Sequence, residues 1–127
     1  MAKGTILIVE DKDEFRKIYG DRLRFAGYDV LDAKDGIEAL EVLKNKKADV
    51  VITDINMPKK DGYELLADLK ADANLKSIPV IVMSVFDQGD HLKKAVDLGA
   101  ASYFVKGTIT PNQVTEKIDS LVAASHA

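Results

Sequence analysis

Five short runs of mostly β-branched and aliphatic residues recur along the chain, at positions 5–9, 28–31, 50–53, 79–84 and 101–105. Three of them show no polar alternation, which is the pattern of strands covered on both faces. The segments between them space apolar residues at three and four: Phe15, Ile18, Tyr19, Leu23 and Ala26; Ala39, Leu40 and Leu43; Leu65, Leu66 and Leu69; Leu92, Ala95 and Val96; Val114, Ile118, Leu121 and Val122. That spacing lays one apolar stripe on each of five helices. Punctuation agrees: Gly27 and Gly99 are suited to stopping helices, Asp35-Gly36 and Asp61-Gly62 mark turns, and Thr110-Pro111 reads as an N-cap followed by proline at the first helical position. The order is (βα)5, an α/β chain. Strict alternation demands right-handed crossovers and a mostly parallel sheet, with helices on both faces if the winding reverses once. Such a reversal opens a crevice at the carboxyl ends of the strands, where ligands of these sheets bind.

The 127 residues leave room for one domain, expected over 1–127 with its core at about 3–122 and a fraying tail from 123. Eighteen basic against 21 acidic residues give a net charge of -3, and no basic stripe with interleaved aromatics is present. Direct nucleic-acid binding and an anionic membrane target are therefore not expected. Cysteine is absent, which excludes disulfides and thiolate metal sites and fits a reducing cytoplasm. The first apolar run is only five residues long before Glu10 and Asp11, too short for a signal or a membrane span, so a soluble, cytoplasmic protein is expected.

The charged and hydroxyl residues collect at the ends of the runs. Glu10 and Asp11 follow the first, Asp54 ends the third, Ser84 the fourth and Lys106 the fifth. Each alone reads as a cap, a turn former or a solvated charge. In a parallel sheet, however, all five stand on one rim. Three carboxylates there repel one another and call for a cation, and an all-oxygen donor set favours Mg²⁺, with Mn²⁺ as a substitute. A nucleophilic carboxylate, a metal site and two further donors are what phosphoryl transfer to an acid requires. His91 and His126 lack partners at metal spacing and read as surface residues, and no glycine-rich phosphate loop follows the first run. On composition alone, Tyr103 reads as simple core or surface aromatic area about as well as it reads as a functional residue.

From about Lys3 to Val122 the chain resembles the receiver domains of two-component response regulators, single-domain chemotaxis regulators among them. The carrying segments are 6–11 (ILIVED), 54–58 (DINMP) with Asp61 and Gly62, 79–84 (PVIVMS) and 99–106 (GAASYFVK). The resemblance implies a flavodoxin-like three-layer sandwich with sheet order 2-1-3-4-5, and it assigns Asp54 as the phosphorylated aspartate. It further implies that Asp11 and Asp54 ligate Mg²⁺ directly, that Glu10 acts largely through bound water, and that the Asn56 carbonyl completes the protein ligands. Ser84 and Lys106 would bond phosphoryl oxygens. Tyr103 would turn inward as Ser84 moves, repacking the surface of helix 4, strand 5 and helix 5. The implied donor is a sensor histidine kinase or a histidine phosphotransfer protein. With no output domain after Val122, the response is expected to pass through another protein, by onward transfer or by dimerisation.

Two positions sharpen these expectations. Receivers usually carry proline after the lysine, often with a cis bond, whereas Gly107 stands here. A non-proline cis peptide costs about 2.5–4 kcal/mol, so a trans 106–107 peptide and a looser loop are expected. Phe86, two beyond Ser84, would face the site and hinder water, giving a long-lived phosphoaspartate. The competing enzyme reading is a hydrolase of the aspartyl-phosphate kind. It would need a second acid two residues past the nucleophile, where this chain has Asn56. A phosphorylation-independent binding module of the same fold is the remaining alternative.

Overall fold

In the computed structural model, which describes residues 2–85 and 89–125, ten elements alternate. They are β1 (Thr5–Val9), α1 (Asp13–Phe25), β2 (Asp29–Ala33), α2 (Gly36–Asn45), β3 (Val50–Asp54), α3 (Gly62–Ala71), β4 (Val80–Ser84), α4 (Asp90–Asp97), β5 (Ser102–Val105) and α5 (Pro111–Ser125). All neighbouring strands pair in parallel, in the order β2-β1-β3-β4-β5. The chain winds outward from β1 in one direction and then reverses, so the rim beside β1 and β3 is the topological switch point.

Side chains alternate across the sheet and build two cores. Ile6, Ile8, Val50, Ile52, Ile81 and Met83 pack against Leu23 of α1 and Val114, Ile118 and Val122 of α5. Leu7, Val9, Val51, Val80 and Val82 pack on the other face against α2, α3 and Ala95 of α4. Each such fully buried aliphatic side chain contributes roughly 1.5–3 kcal/mol from removal of its surface from water. With both faces covered, β1, β3 and β4 have no use for polar alternation, which is why they read as continuous apolar runs.

The helix boundaries follow from local chemistry. Asp61 caps α3 by accepting the Glu64 N–H at 2.8 Å while the Glu64 side chain accepts the Asp61 N–H. Asp35 caps α2 by accepting the Glu38 N–H at 2.8 Å. The Asp-Gly pairs are thus helix starts rather than free-standing turns, because an aspartate oxygen satisfies a donor that the first helical turn leaves orphaned. Thr110 and Gln113 exchange the same reciprocal bonds ahead of Pro111. Gly27 and Gly99 end α1 and α4 at φ +104° and +100°.

Several expectations are corrected. β2 is displaced towards Ala33, since Asp32 pairs in the ladder opposite Ile8 although it is exposed on an edge strand. Ile18 and Val96 fall off their helices' buried stripes, at 54% and 57% exposure. The helix α5 continues through the expected tail to Ser125. His91 is half-buried rather than a surface residue: its Nδ1 lies 2.8 Å from the Tyr63 hydroxyl, with the two rings stacked. His126 lies outside the described residues. None of the described helices is long and apolar enough to cross a membrane.

Candidate functional site

The two-residue strand period decides which rim residues meet. Glu10 continues the parity of Ile6 and Ile8, Asp54 that of Val50 and Ile52, and Lys106 that of Phe104, all of which belong to the core beneath α1 and α5. These three side chains therefore converge on one face of the rim. Lys106 forms an ion pair with Glu10 Oε1, and its Nζ stands 3.3 Å from Asp54 Oδ2. The Lys106 side chain is only 6% exposed, so this is an enclosed cation and not a solvated one.

Asp11 joins from the loop after β1: one carboxylate oxygen from each of Glu10, Asp11 and Asp54 can be chosen so that all lie within 4.8 Å of one another. Glu10 and Asp54 are buried while Asp11 is exposed, which leaves the cluster open on one side. Backbone donors fix the buried acids. The Ile55 N–H donates to Asp54 Oδ1 at 2.8 Å, and the Lys12 N–H donates to Glu10 Oε2 at 3.2 Å. Burial pushes the Glu10 carboxyl above its ordinary range and the nearby Asp54 charge adds to this, while the bond from Lys106 pulls the other way. One lysine against three carboxylates leaves the rim short of positive charge. A hard divalent cation with oxygen ligands fits both the donor set and the charge deficit.

Ser84 and Tyr103 have the opposite parity. Ser84 follows Val80 and Val82, and Tyr103 belongs to the core beneath α2, α3 and α4. Ser84 ends the strand beside β3, one residue past Met83, which pairs with Asp54. It is buried at 1% exposure, and Tyr103 is buried at 8%. Asn56 is exposed in the loop two residues after Asp54. The 106–107 peptide is trans, and Gly107 takes φ +87°, a left-handed conformation that glycine adopts without strain. Phe86 lies outside the described residues.

Sequence reading missed the lid of the site. Phe15 places its ring 4.4 Å from Lys106 Nζ, and Tyr19, one turn later on α1, lines the same pocket with Met83. Burial raises the Tyr19 hydroxyl pKa. Arg16 holds the Glu10 carbonyl at 2.8 Å. The signal was present in the stripe of α1, whose first two members on the buried side, Phe15 and Tyr19, stand nearest the rim. Sequence reading also took Gly62 as part of a turn without foreseeing its contact with Asp54. A Cβ there would lie 2.1 Å from the Asp54 carbonyl oxygen, so only glycine lets α3 start against the end of β3. The Gly62 N–H donates to the Ile55 carbonyl at 2.8 Å.

Known proteins share this fold. The family model of the response regulator receiver domain matches residues 6–119. The chemotaxis protein CheY-3 of Vibrio cholerae is 36% identical over 91% of this chain and 89% of its own length. A probable transcriptional regulator of Porphyridium aerugineum is 33% identical over 96% of this chain, which spans 49% of that relative. The chain spans about half or less of several other regulators that it matches. Among solved structures, the signal receiver domain of a histidine kinase from Syntrophus aciditrophicus superposes with a TM-score of 0.88 at 28% identity, covering 95% of this chain and 91% of that one. Sheet order, switch-point acids and family match lead to one conclusion: the chain belongs to the response regulator receiver domains of two-component systems.

Proposed function

We propose that the chain is a phosphorylation switch that accepts a phosphoryl group on Asp54 from the phosphohistidine of a sensor kinase or a phosphotransfer protein. The observation that carries this reading is the meeting of the Glu10, Asp11 and Asp54 carboxylates within 4.8 Å, with Lys106 Nζ 3.3 Å from Asp54. Asp11 and Asp54 would hold Mg²⁺ directly, with Glu10 acting through water and the Asn56 carbonyl as a further ligand. When bound, the ion neutralises charge on the transferring oxygens.

The chain's own residues do the rest. The Ile55 N–H holds the Asp54 carboxylate in one orientation, a pre-set attack geometry. An Asp54 oxygen bonds to phosphorus as the phosphorus–nitrogen bond breaks. The electron pair stays on the donor imidazole, which takes up a proton. Lys106 trades part of its contact with Glu10 for a phosphoryl oxygen, and the Ser84 hydroxyl donates to another. The product adds about -1.5 to -2 of charge, which draws donors towards it and biases the packing of Tyr103 of β5 beneath α4. A changed surface of α4, β5 and α5 would then alter affinity for a downstream protein. Such a switch operates in the cytoplasm, where its donors present their phosphohistidines.

Intact mass spectrometry after incubation with a small phosphodonor and Mg²⁺ tests this directly. One added phosphoryl group is expected, none in Asp54→Asn and none after chelation. An unmodified wild-type chain would overturn the reading. A transfer profile against purified histidine kinases and phosphotransfer proteins then identifies the donor.

A further inference from the structure

The Lys106 ammonium has three neighbours, and only two of them are carboxylates. It pairs with Glu10 Oε1 and stands 3.3 Å from Asp54 Oδ2, while the face of the Phe15 ring bounds it from α1, with the centroid 4.4 Å from Nζ. Phe15, Tyr19, Met83 and Lys106 line a cavity of about 10 Å³ together with the two acids. That is at the lower limit of the space one water needs, so the ammonium keeps almost no hydration on the α1 side. An aromatic face attracts a cation most strongly where water is excluded.

The turn that carries the ring is tied to the residue that shares the ammonium. The Lys12 N–H donates to Glu10 Oε2 at 3.2 Å, and Arg16, next to Phe15, donates to the Glu10 carbonyl at 2.8 Å. Arg16 also pairs with Asp13 in the first turn of α1. Ring, acid and ammonium therefore hold their places as one unit.

We propose that Phe15 is a positioning residue for Lys106: its ring holds the ammonium beside Asp54 while the lysine changes partners from Glu10 to a phosphoryl oxygen. This role rests on the reading of Asp54 as the phosphoryl acceptor. The ring quadrupole attracts the cation without a hydrogen bond that must break during the exchange. A further carboxylate in that place would compete with the incoming oxygen, and an aliphatic side chain would fill the space without attracting the charge. Lys106 has a flexible four-carbon stem, and without the ring Glu10 is left to draw the ammonium away from the position transfer requires.

The test replaces Phe15 in the full chain by para-fluoro-, difluoro- and pentafluorophenylalanine. Fluorination weakens and finally reverses the quadrupole while the shape of the ring changes little; Phe15→Leu removes the ring. The initial rate of phosphoryl acceptance is followed by intact mass at saturating small phosphodonor and Mg²⁺. The rate should fall stepwise along the series, with the pentafluoro ring and Phe15→Leu both about tenfold below wild type. Phe25→Leu, at the exposed end of the same helix, should leave it unchanged. A ring that acts by packing alone would keep wild-type rates in all three fluorinated chains, and that result would overturn the proposal. A second readout needs neither donor nor metal and does not depend on the leucine variant folding. Overhauser contacts between the ring and the Lys106 ε-methylene are expected for the native and para-fluoro rings and should be lost for the pentafluoro ring. Their absence in the wild type, or their persistence throughout the series, would equally overturn it. A wild-type chain that takes up no phosphoryl group would bring down the acceptor reading and this role with it, whereas normal uptake with a flat fluorine series brings down this role alone.

Discussion

β3 begins beside one aspartate and ends on another, and the two do opposite things. Asp49 exchanges bonds with the start of β1: its Oδ2 accepts the Thr5 N–H, and its own N–H donates to the Thr5 carbonyl, both at 2.7 Å. A backbone donor and a carboxylate meet there and settle the register of the central strand pair. Asp54 also accepts a backbone N–H, from Ile55, but it faces Glu10 and Asp11 with a single lysine among them. The same side chain is a structural clip where its surroundings satisfy it. On the proposed reading it becomes a reactive centre where they leave a deficit of positive charge.

The sharpest way to break this comparison is to neutralise each carboxylate in turn. Asp54→Asn should remove phosphoryl acceptance completely, while Asp49→Asn, which keeps an acceptor oxygen for Thr5, should leave it unchanged. Mass gain with a small phosphodonor reads both, and any loss in Asp49→Asn would make the two ends of the strand functionally inseparable.

Next in size is the cation. Lys106→Met leaves the buried Glu10 and Asp54 carboxylates without their cation and should cost about 3 kcal/mol in urea unfolding without divalent ions. The sign of its pH dependence follows from Glu10, whose pKa burial already raises in the folded state. Protonated Glu10 favours the fold, so this contribution is present at low pH and is lost as pH rises through the folded pKa. Removing Lys106 takes away the bond that lowers that pKa. The penalty should therefore be small in acid and grow towards neutrality, and Mg²⁺ should recover more stability in the variant than in the wild type. A penalty independent of both pH and Mg²⁺ would mean that Lys106 acts through packing on Phe15 alone.

Gly62→Ala should follow at about 2 kcal/mol, since its Cβ would meet the Asp54 carbonyl at 2.1 Å and backbone must shift to admit it. The shift falls on the proposed acceptor, so slowed phosphorylation should accompany the lost stability. Normal phosphorylation kinetics in a destabilised variant would separate the two.

How far the sequence carries the reading depends on the kind of interaction. β1 lies at 5–9 as expected, and β3 and β4 differ from expectation by one residue, because strands covered on both faces announce themselves by uninterrupted apolar runs. β2 does not, because its ladder runs through exposed Asp32 and only pairing with Ile8 reveals it. The convergence of Glu10, Asp54 and Lys106 follows from strand ends and parity alone. The lid of Phe15 and Tyr19 does not, since on a helical stripe a core residue and a site-lining residue have the same spacing. Nor does the close approach at Gly62, which depends on where α3 begins in space. Ile18 and Val96 fit the period of their helices but fall beyond the arc that the sheet covers.

The smallest predicted effect is the most discriminating for the comparison. Asp49→Ala strips the Thr5 N–H of its partner at the start of β1 and should cost about 1–2 kcal/mol, the usual penalty of an unsatisfied, partly buried donor. The loss is local to the amino ends of β1 and β3, and the ladder from Ile6↔Val50 to Val9↔Thr53 separates it from the acceptor. Hydrogen exchange should therefore speed up at Thr5 and its neighbours while the Ile55 amide stays protected, and phosphoryl acceptance should match the wild type. Faster exchange at Ile55 as well would show that the clip and the reactive carboxylate are coupled through β3 rather than merely joined by it.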